Sequence, residues 1–124
     1  MIIGLGLDVT ELPRIARMHE KYGDAFLKKL LTPNEQAHVP AAPVPFLAGR
    51  FAAKEAAVKA LGSGFSGGIG LHDIEILPSA AGKPLLHFHG PAAALALRLE
   101  VEQQHVTITH DRHVAAAVVI LESA

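Results

Sequence analysis

Cysteine and tryptophan are absent from this sequence, and tyrosine occurs only once. Without cysteine, neither a disulfide framework nor a thiolate metal site can form, which fits a reducing compartment. With so few large aromatic rings, a surface for stacking nucleic-acid bases is not expected. The 11 lysines and arginines are balanced by 12 aspartates and glutamates, so no overall basic field favours a nucleic-acid partner.

Long apolar runs are also absent, so no membrane span is expected. The N-terminus reaches Asp8 without a basic segment or a long apolar stretch, which argues against a signal peptide. We therefore expect a cytoplasmic protein with no membrane partner. Half of the 124 residues are apolar, which predicts one domain over residues 1–124 with a real core and room for a buried subunit interface.

The N-terminal segment alternates apolar residues with two glycines and a carboxylate. This period of two predicts a strand whose apolar residues share one face and whose other face is bare backbone followed by Asp8. Glycine on a strand permits close approach of another backbone. Thr10 is expected to cap a helix over residues 11–22.

The rest of the chain predicts an α+β fold with a largely antiparallel sheet. Thr32 and Glu35 form a capping box, and a proline-rich loop over residues 38–45 has no assigned contact. The remaining expected elements are a helix over 50–61, a glycine loop over 62–70, strands over 71–77 and 85–89 joined by a turn, a helix over 91–104, and strands over 105–110 and 114–122.

The segment RFAAKEAAVKALG, residues 50–62, is apolar nearly all round yet carries four charges. A helix of that kind is normally buried. Its charges have three interpretations: a surface ion pair between Glu55 and Lys59, a buried pair, or a ligand site. In the third, Asp8 and Glu55 would hold Mg²⁺, and Lys59 and Arg50 would meet phosphate oxygens.

Three other patterns have both plain and functional interpretations. The glycine spacing after residue 61 resembles a dinucleotide motif, but it follows a helix and precedes a strand, so a linker is favoured. His87 and His89 lack further ligands at a zinc spacing, which favours a solvated hairpin face. Arg14, Arg17 and Lys21 share one helix face, either as a solvated surface or as a docking strip for an acidic partner.

Three segments together resemble the holo-acyl-carrier-protein synthases, the small trimeric class of 4′-phosphopantetheinyl transferase. They are GLGLDVTELPRI over residues 4–15, RFAAKEAAVKALG over residues 50–62 and HVTITHDRHVAAAVVILE over residues 105–122. The resemblance implies the fold of that family, with a mostly antiparallel sheet packed against helices, and a homotrimer with active sites between subunits. It also implies Mg²⁺-dependent transfer of 4′-phosphopantetheine from coenzyme A to a serine of apo acyl carrier protein, in fatty acid biosynthesis.

By this resemblance, Asp8 and Glu55 are metal ligands, and Asp8, Glu55 and Lys59 are catalytic. Glu55, or a metal-bound water that it orients, is the candidate general base for the serine hydroxyl. Coenzyme binding is assigned to a wider set: Arg50, Lys59, Gly62, Gly82, Lys83, Pro84 and His110. The strip of Arg14, Arg17 and Lys21 on the first helix becomes the contact for the carrier's acidic helix, with Lys28 as a secondary candidate.

One departure and two competing functions remain open. Asp111 follows His110 where the family often has a small or hydroxyl residue, and it is either a turn residue, which we favour, or a third carboxylate near the metal. A noncatalytic coenzyme-binding module would bind without turnover. A purely structural homotrimer would show no effect of Mg²⁺ on ligand binding. The sequence does not determine the preferred carrier or the acceptance of acylated coenzymes.

Overall fold

The computed structural model describes residues 1–124. The N-terminal part contains strand β1 (Ile2–Glu11) and helices α1 (Leu12–Tyr22), α2 (Asp24–Leu30), α3 (Pro33–Gln36) and α4 (Val44–Leu61). The C-terminal part contains a 3-10 turn (Leu71–Asp73), strands β2 (Ile74–Pro78) and β3 (Pro84–Phe88), helix α5 (Gly90–Arg98), and strands β4 (Gln103–His110) and β5 (Val114–Glu122). All strand pairs are antiparallel, so the α+β prediction is confirmed.

The strands form two separate sheets rather than one. A three-stranded sheet has the order β1-β5-β4, and β2 pairs only with β3. In the larger sheet, Val118 at the centre of β5 lies opposite Leu7 on one side and Thr107 on the other. Helix α4 packs across one face of this sheet, and its alanines form the middle of the larger hydrophobic core.

The two faces of β1 have opposite environments. A Cβ on Gly6 would lie 1.8 Å from the carbonyl oxygen of Ala56, so only glycine allows α4 to pack this closely. The apolar side chains of β1 lie on the other face, where Leu5, Leu7 and Val9 are 65%, 57% and 58% exposed. The sheet therefore buries its bare glycine face and leaves an apolar face uncovered.

Several element boundaries differ from the sequence prediction. Helix α2 was not predicted, because Gly23 at φ +54° separates it from α1 and it has only seven residues. Helix α4 begins at Val44, six residues earlier than expected, since proline is tolerated in a first helical turn. Helix α5 ends at Arg98, because Glu100 adopts φ +63°. The expected strand over 71–77 begins only at Ile74, after the 3-10 turn.

Candidate active site

Asp8 and Lys59 form the first part of the site, where β1 faces the C-terminal half of α4. The Lys59 ammonium donates to Asp8 Oδ1 at 3.1 Å and to the carbonyl oxygen of Leu7 at 3.0 Å. The hydroxyl of Thr10 donates to Asp8 Oδ2 at 3.1 Å. Both carboxylate oxygens of Asp8 are therefore oriented by the chain itself.

Thr10 was assigned the wrong role from the sequence. It does not cap α1, whose N-cap position is Glu11 and has no side-chain cap bond. Thr10 is buried, and it lies two residues after Asp8 on the same face of the strand. That period-two spacing was the signal that could have identified Thr10 as a partner of the carboxylate.

Glu55 is near enough to Asp8 for the negative charge of Asp8 to act on it. Burial raises the pKa of Glu55 above its usual value and the negative charge of Asp8 raises it further, while Lys59 and Arg14 partly oppose the shift. Lys59 pairs with Asp8 and not with Glu55, so the interpretation of a Glu55–Lys59 surface ion pair is wrong. A carboxylate whose charge is opposed by a neighbouring carboxylate forms, together with that neighbour, a favourable environment for a divalent cation.

The charge balance of this group fits Mg²⁺ as a bound ion. The chain contains no group of three or more histidine, aspartate or glutamate side chains that could hold a metal ion. Mg²⁺ is commonly held by one or two carboxylates together with phosphate oxygens and water. Asp8 and Glu55 supply that number of carboxylates. The other coordination positions of the ion would be left for a phosphate ligand and water.

The interpretation of Glu55 and Lys59 as a buried pair is also wrong, but α4 does carry a buried ion pair, which Lys54 forms with Glu35. The side chains of Lys54 and Glu35 have no exposed surface, and Lys54 Nζ lies 2.7 Å from Glu35 Oε1. Burial lowers the pKa of Lys54, and the charge of Glu35 opposes this shift. The capping-box prediction for Thr32 and Glu35 is confirmed, but the partnership of Glu35 with Lys54 was missed.

A cleft of about 500 Å³ gathers a second set of predicted residues. Arg50, Gly82, Pro84 and His110 line it, together with Pro40, Ala42, Pro45, Phe46, Gly49 and Ile108. The proline-rich segment thus forms one wall of this cleft, which is the contact that the sequence could not assign. The Arg50 guanidinium stacks 4.3 Å from the centre of the Phe46 ring, and its buried Nε has no hydrogen-bond partner.

The cleft and the carboxylates lie on different sides of α4. Arg50 and Glu55 are five residues apart, which places them about 140° apart around the helix axis. The electrostatic neighbours differ accordingly: Asp8 and Lys59 act on Glu55, whereas Glu35 acts on Arg50. A single chain therefore brings the predicted residues into two groups. Gly62 and Lys83 belong to neither: Gly62 ends α4 at φ +77°, and Lys83 is exposed beside Gly82.

The basic strip on α1 is exposed along its whole length. Arg14 begins it, lying 5.5 Å from the Phe51 ring and close enough to lower the pKa of Glu55. Further along, an apolar groove of about 330 Å³ opens between α1 and α2, lined by Met18, Tyr22, Ala25, Phe26 and Lys29. Arg17, Lys21 and Lys28 are exposed as well. The strip therefore runs from beside the carboxylate pair to an apolar groove.

The remaining polar residues have structural partners. Asp111 Oδ1 accepts backbone hydrogen bonds from His113 at 2.7 Å and Val114 at 2.8 Å, which lowers the pKa of Asp111 and matches the favoured turn interpretation. His89 contacts Glu75 at 3.0 Å rather than a second histidine. No helix is both long and apolar enough to cross a membrane.

Comparisons with known proteins agree with the resemblance in the three segments. The family model described as the 4′-phosphopantetheinyl transferase superfamily matches residues 4–118. The chain is 57% identical to the holo-[acyl-carrier-protein] synthase of Nitratidesulfovibrio vulgaris strain Hildenborough, covering 99% of this chain and 100% of that protein. It is 36% identical to the crystal structure of the Neisseria meningitidis holo-[acyl-carrier-protein] synthase, with a TM-score of 0.90, covering 99% of this chain and 100% of that one. It is 37% identical to a Bacillus anthracis holo-(acyl-carrier-protein) synthase in complex with CoA (3′,5′-ADP), with a TM-score of 0.82 and coverage of 100% and 99%.

Proposed function

This chain belongs to the 4′-phosphopantetheinyl transferase superfamily and is an enzyme of that class, and from that premise we propose its substrates and the roles of its residues. The donor is coenzyme A, and the acceptor is a serine of an apo acyl carrier protein. The serine oxygen forms a bond to the β-phosphorus as the bond from that phosphorus to the bridging oxygen breaks. Adenosine 3′,5′-bisphosphate leaves with the bridging oxygen, and the serine proton passes to a base.

The grouping of Asp8, Lys59 and Glu55 is the observation that carries this proposal. The group combines one cation with two carboxylates, which is a set that could bind a diphosphate together with Mg²⁺. When bound, Mg²⁺ supplies Lewis-acid stabilisation of charge on the diphosphate oxygens. Lys59, whose side chain is 52% exposed, can turn from Asp8 toward a phosphate oxygen without leaving a buried charge unpaired.

Glu55 is our candidate for the base that accepts the serine proton. Its pKa is raised by burial and by Asp8, and a general base works best when its pKa approaches the working pH. Arg14 lies at the end of the basic strip that is nearest to Glu55. A carrier docked on α1 would therefore bring its serine close to Glu55. General base catalysis typically contributes a factor of about 10²–10⁴ in rate.

The cleft beside the proline-rich segment is our candidate for the nucleotide end of coenzyme A. It combines the guanidinium of Arg50 and the imidazole of His110 with apolar walls, which suits a phosphorylated nucleoside. Gly82 and Pro84 line the same cleft. Lys83 and Gly62 remain candidates for contacts beyond the cleft, and nothing within one chain places them there.

A homotrimer would bring the two groups of residues into one active site. The uncovered sheet face exposes Leu5, Leu7 and Val9 as one continuous apolar surface, continued on β5 by Val118 and Ile120. Apolar patches of this kind mark subunit interfaces in folded proteins. We propose that copies of the chain associate through this face, so that the cleft of one subunit serves the carboxylate pair of its neighbour.

The carrier docks on the strip formed by Arg14, Arg17 and Lys21, with Lys28 nearby. Acidic helices are attracted by such a strip, and the groove at Met18 and Tyr22 can accept apolar side chains from the same partner. Fatty-acid carriers are the first class to test, with polyketide carriers as the alternative.

The experiment that tests this function measures the intact mass of the carrier. Purified protein would be incubated with apo carrier, coenzyme A and Mg²⁺, and we expect the carrier to gain one phosphopantetheine. The gain should disappear in the Glu55→Gln variant and in a chelated reaction, and it should persist in Glu102→Gln, which neutralises an exposed glutamate with no side-chain bond. Coenzyme binding without any mass gain, for either class of carrier, would favour the noncatalytic binding module.

A further inference from the structure

The alanine face of α4 carries little information about small rotations of the helix. Six of the buried residues of α4 are alanines, and five of them lie within an arc of about 140° on one side of the helix, namely Ala52, Ala53, Ala56, Ala57 and Ala60. The larger buried side chains of Leu47, Val58 and Leu61 oppose large rotations. Small side chains of one shape, however, can exchange places with little change in buried area, so the alanine face distinguishes poorly between small rotations of this helix about its axis. The orientation of its charged residues therefore needs another determinant.

Contact with β1 determines distance more than rotation. Gly4 and Gly6 allow the carbonyl oxygens of Ala60 and Ala56 to approach the strand, where a Cβ would lie 2.3 Å and 1.8 Å away. Glycine, however, offers no side chain that could interlock with the helix. The close approach fixes the gap between α4 and the sheet and leaves the rotation of the helix to other contacts.

Lys54 supplies directional contacts on another side of the helix. Its ammonium donates to the carbonyl oxygen of Leu30 at 2.7 Å, to Glu35 Oε1 at 2.7 Å and to the carbonyl oxygen of Leu71 at 3.0 Å. A lysine ammonium has three donors, so every one of them is used. The three acceptors come from the end of α2, from α3 and from the 3-10 turn, which locate the side chain from three directions.

Glu35 is held just as completely. Its Oε1 also accepts the backbone N–H of Thr32 at 2.8 Å, and its Oε2 accepts the backbone N–H of Ile76 at 2.9 Å. The carboxylate is thereby fixed to α3 and to β2, neither of which carries a residue of the proposed active site. Lys54 is thus joined to a framework that does not depend on the catalytic residues.

We propose that the Lys54–Glu35 pair is a positioning device that sets the rotation of α4 and so aims Glu55 at Asp8. Glu55 follows Lys54 directly and projects about 100° further around the helix. With Lys54 fixed, Glu55 projects about 40° around the helix from Lys59, whose ammonium bonds Asp8. The inference rests on the proposed function, because it gives Glu55 its role beside Asp8.

A purely structural pair makes a different prediction. Apolar or neutral replacement of a buried ion pair can leave a protein folded and stable. In that case, the neutralised protein would keep its metal affinity and its turnover. If the pair has a positioning role, the same replacement lets Glu55 move relative to Asp8. Metal affinity and turnover should then both fall, even when the protein is fully folded.

The test combines Lys54→Met with Glu35→Gln and probes the site with Mn²⁺ alone, followed by water-proton relaxation. We expect the dissociation constant for Mn²⁺ to rise at least about fivefold and kcat to fall at least about tenfold, with the KM for the carrier unchanged. Leu86→Ala is the matched control, because it removes a buried side chain from β3. At a temperature where all proteins are folded, it should retain wild-type Mn²⁺ affinity and kcat.

Each outcome either supports or overturns the positioning role of the Lys54–Glu35 pair. Wild-type Mn²⁺ affinity and kcat in the double variant would overturn the positioning role, and so would equal losses in Leu86→Ala. If the double variant does not fold, Glu35→Asp, which keeps the countercharge of Lys54 but shortens the side chain by one methylene, should still raise the Mn²⁺ dissociation constant about twofold or more, and an unchanged value would overturn the inference. A wild-type protein that binds Mn²⁺ but transfers nothing would contradict the proposed function instead, while the metal readout would still test the positioning of Glu55.

Discussion

Helix α4 carries two lysine–carboxylate pairs that differ in almost every physical respect. Lys54 and Glu35 are 2.7 Å apart and wholly buried, whereas Lys59 and Asp8 are 3.1 Å apart with side chains 52% and 16% exposed. A buried charge cannot lose its partner without a large cost, while an exposed one can. The first pair is therefore suited to fixing the fold, and the second is suited to exchanging its partner for a ligand.

The largest effect is expected from breaking the buried pair. Glu35→Ala leaves the Lys54 ammonium without a countercharge and Ile76 without its acceptor, so we expect the free energy of unfolding to fall by about 3–5 kcal/mol. Asp8→Ala, the matched change in the exposed pair, should cost only about 1–2 kcal/mol, because Lys59 stays solvated and only the buried hydroxyl of Thr10 loses its acceptor. Urea denaturation measures both values. Similar losses in the two variants would remove the distinction between the pairs.

Removing the exposed lysine should affect catalysis rather than stability. Lys59→Met deletes a cation proposed to bind phosphate, and a hydrogen bond to a charged group contributes about 1.5–3 kcal/mol, which corresponds to a loss of about 10- to 100-fold in kcat/KM for coenzyme A. Stability should change by less than about 1 kcal/mol. Steady-state kinetics with coenzyme A varied would show the loss, and Arg98→Met on α5 should show none.

The exposed pair also depends on how closely α4 approaches β1. In Gly6→Ala, the new Cβ would lie 1.8 Å from the carbonyl oxygen of Ala56, so the helix must move away from Asp8. Overpacking of this kind typically costs about 1–3 kcal/mol, and we expect kcat to fall as well. Gly70→Ala is the control, since its φ is −115° and its Cβ would have no neighbour closer than 3.9 Å. Equal stability of the two variants in urea would contradict the close packing.

Local patterns were sufficient for much of the fold and for naming the candidate site residues. The capping box at Thr32, the helix end at Gly62 and the final hairpin were predicted, because each depends on residues adjacent in the sequence. Asp8 and Glu55 were selected as candidates because they are charged residues next to glycine and alanine. An ordinary solvent-exposed surface does not explain that combination.

Contacts between distant segments were beyond such patterns. Lys54 and Glu35 are 19 residues apart, and no periodicity links a capping box to a lysine in another helix. The period of β1 identified its two faces, but it did not reveal that the glycine face is the buried one. That choice depends on the alanine surface of α4, whose packing against the strand is a tertiary property.

The raised pKa of Glu55 gives a smaller and pH-dependent effect. An acid whose pKa is raised by folding opposes folding while it is ionised, and this cost disappears as the pH falls below its usual value of 4.5. Glu55→Gln should therefore be more stable than the wild type at pH 7, by less than about 1 kcal/mol because the group is partly solvated. The difference should vanish near pH 4. Unfolding curves across this range would refute the shift if the variant were less stable at pH 7.

The smallest effect is expected from a change in the basic strip on α1, which is the most exposed part of the site. Arg14→Glu reverses a charge beside Glu55 and in the path of an acidic helix, so the KM for the carrier should rise severalfold at low ionic strength. Screening shortens the reach of such charges to about 8 Å at physiological salt, so the increase should shrink as salt is added. Arg98→Glu, which makes the same change on α5, should leave the KM unaltered. A KM that is independent of salt in both variants would mean that the carrier does not use this strip.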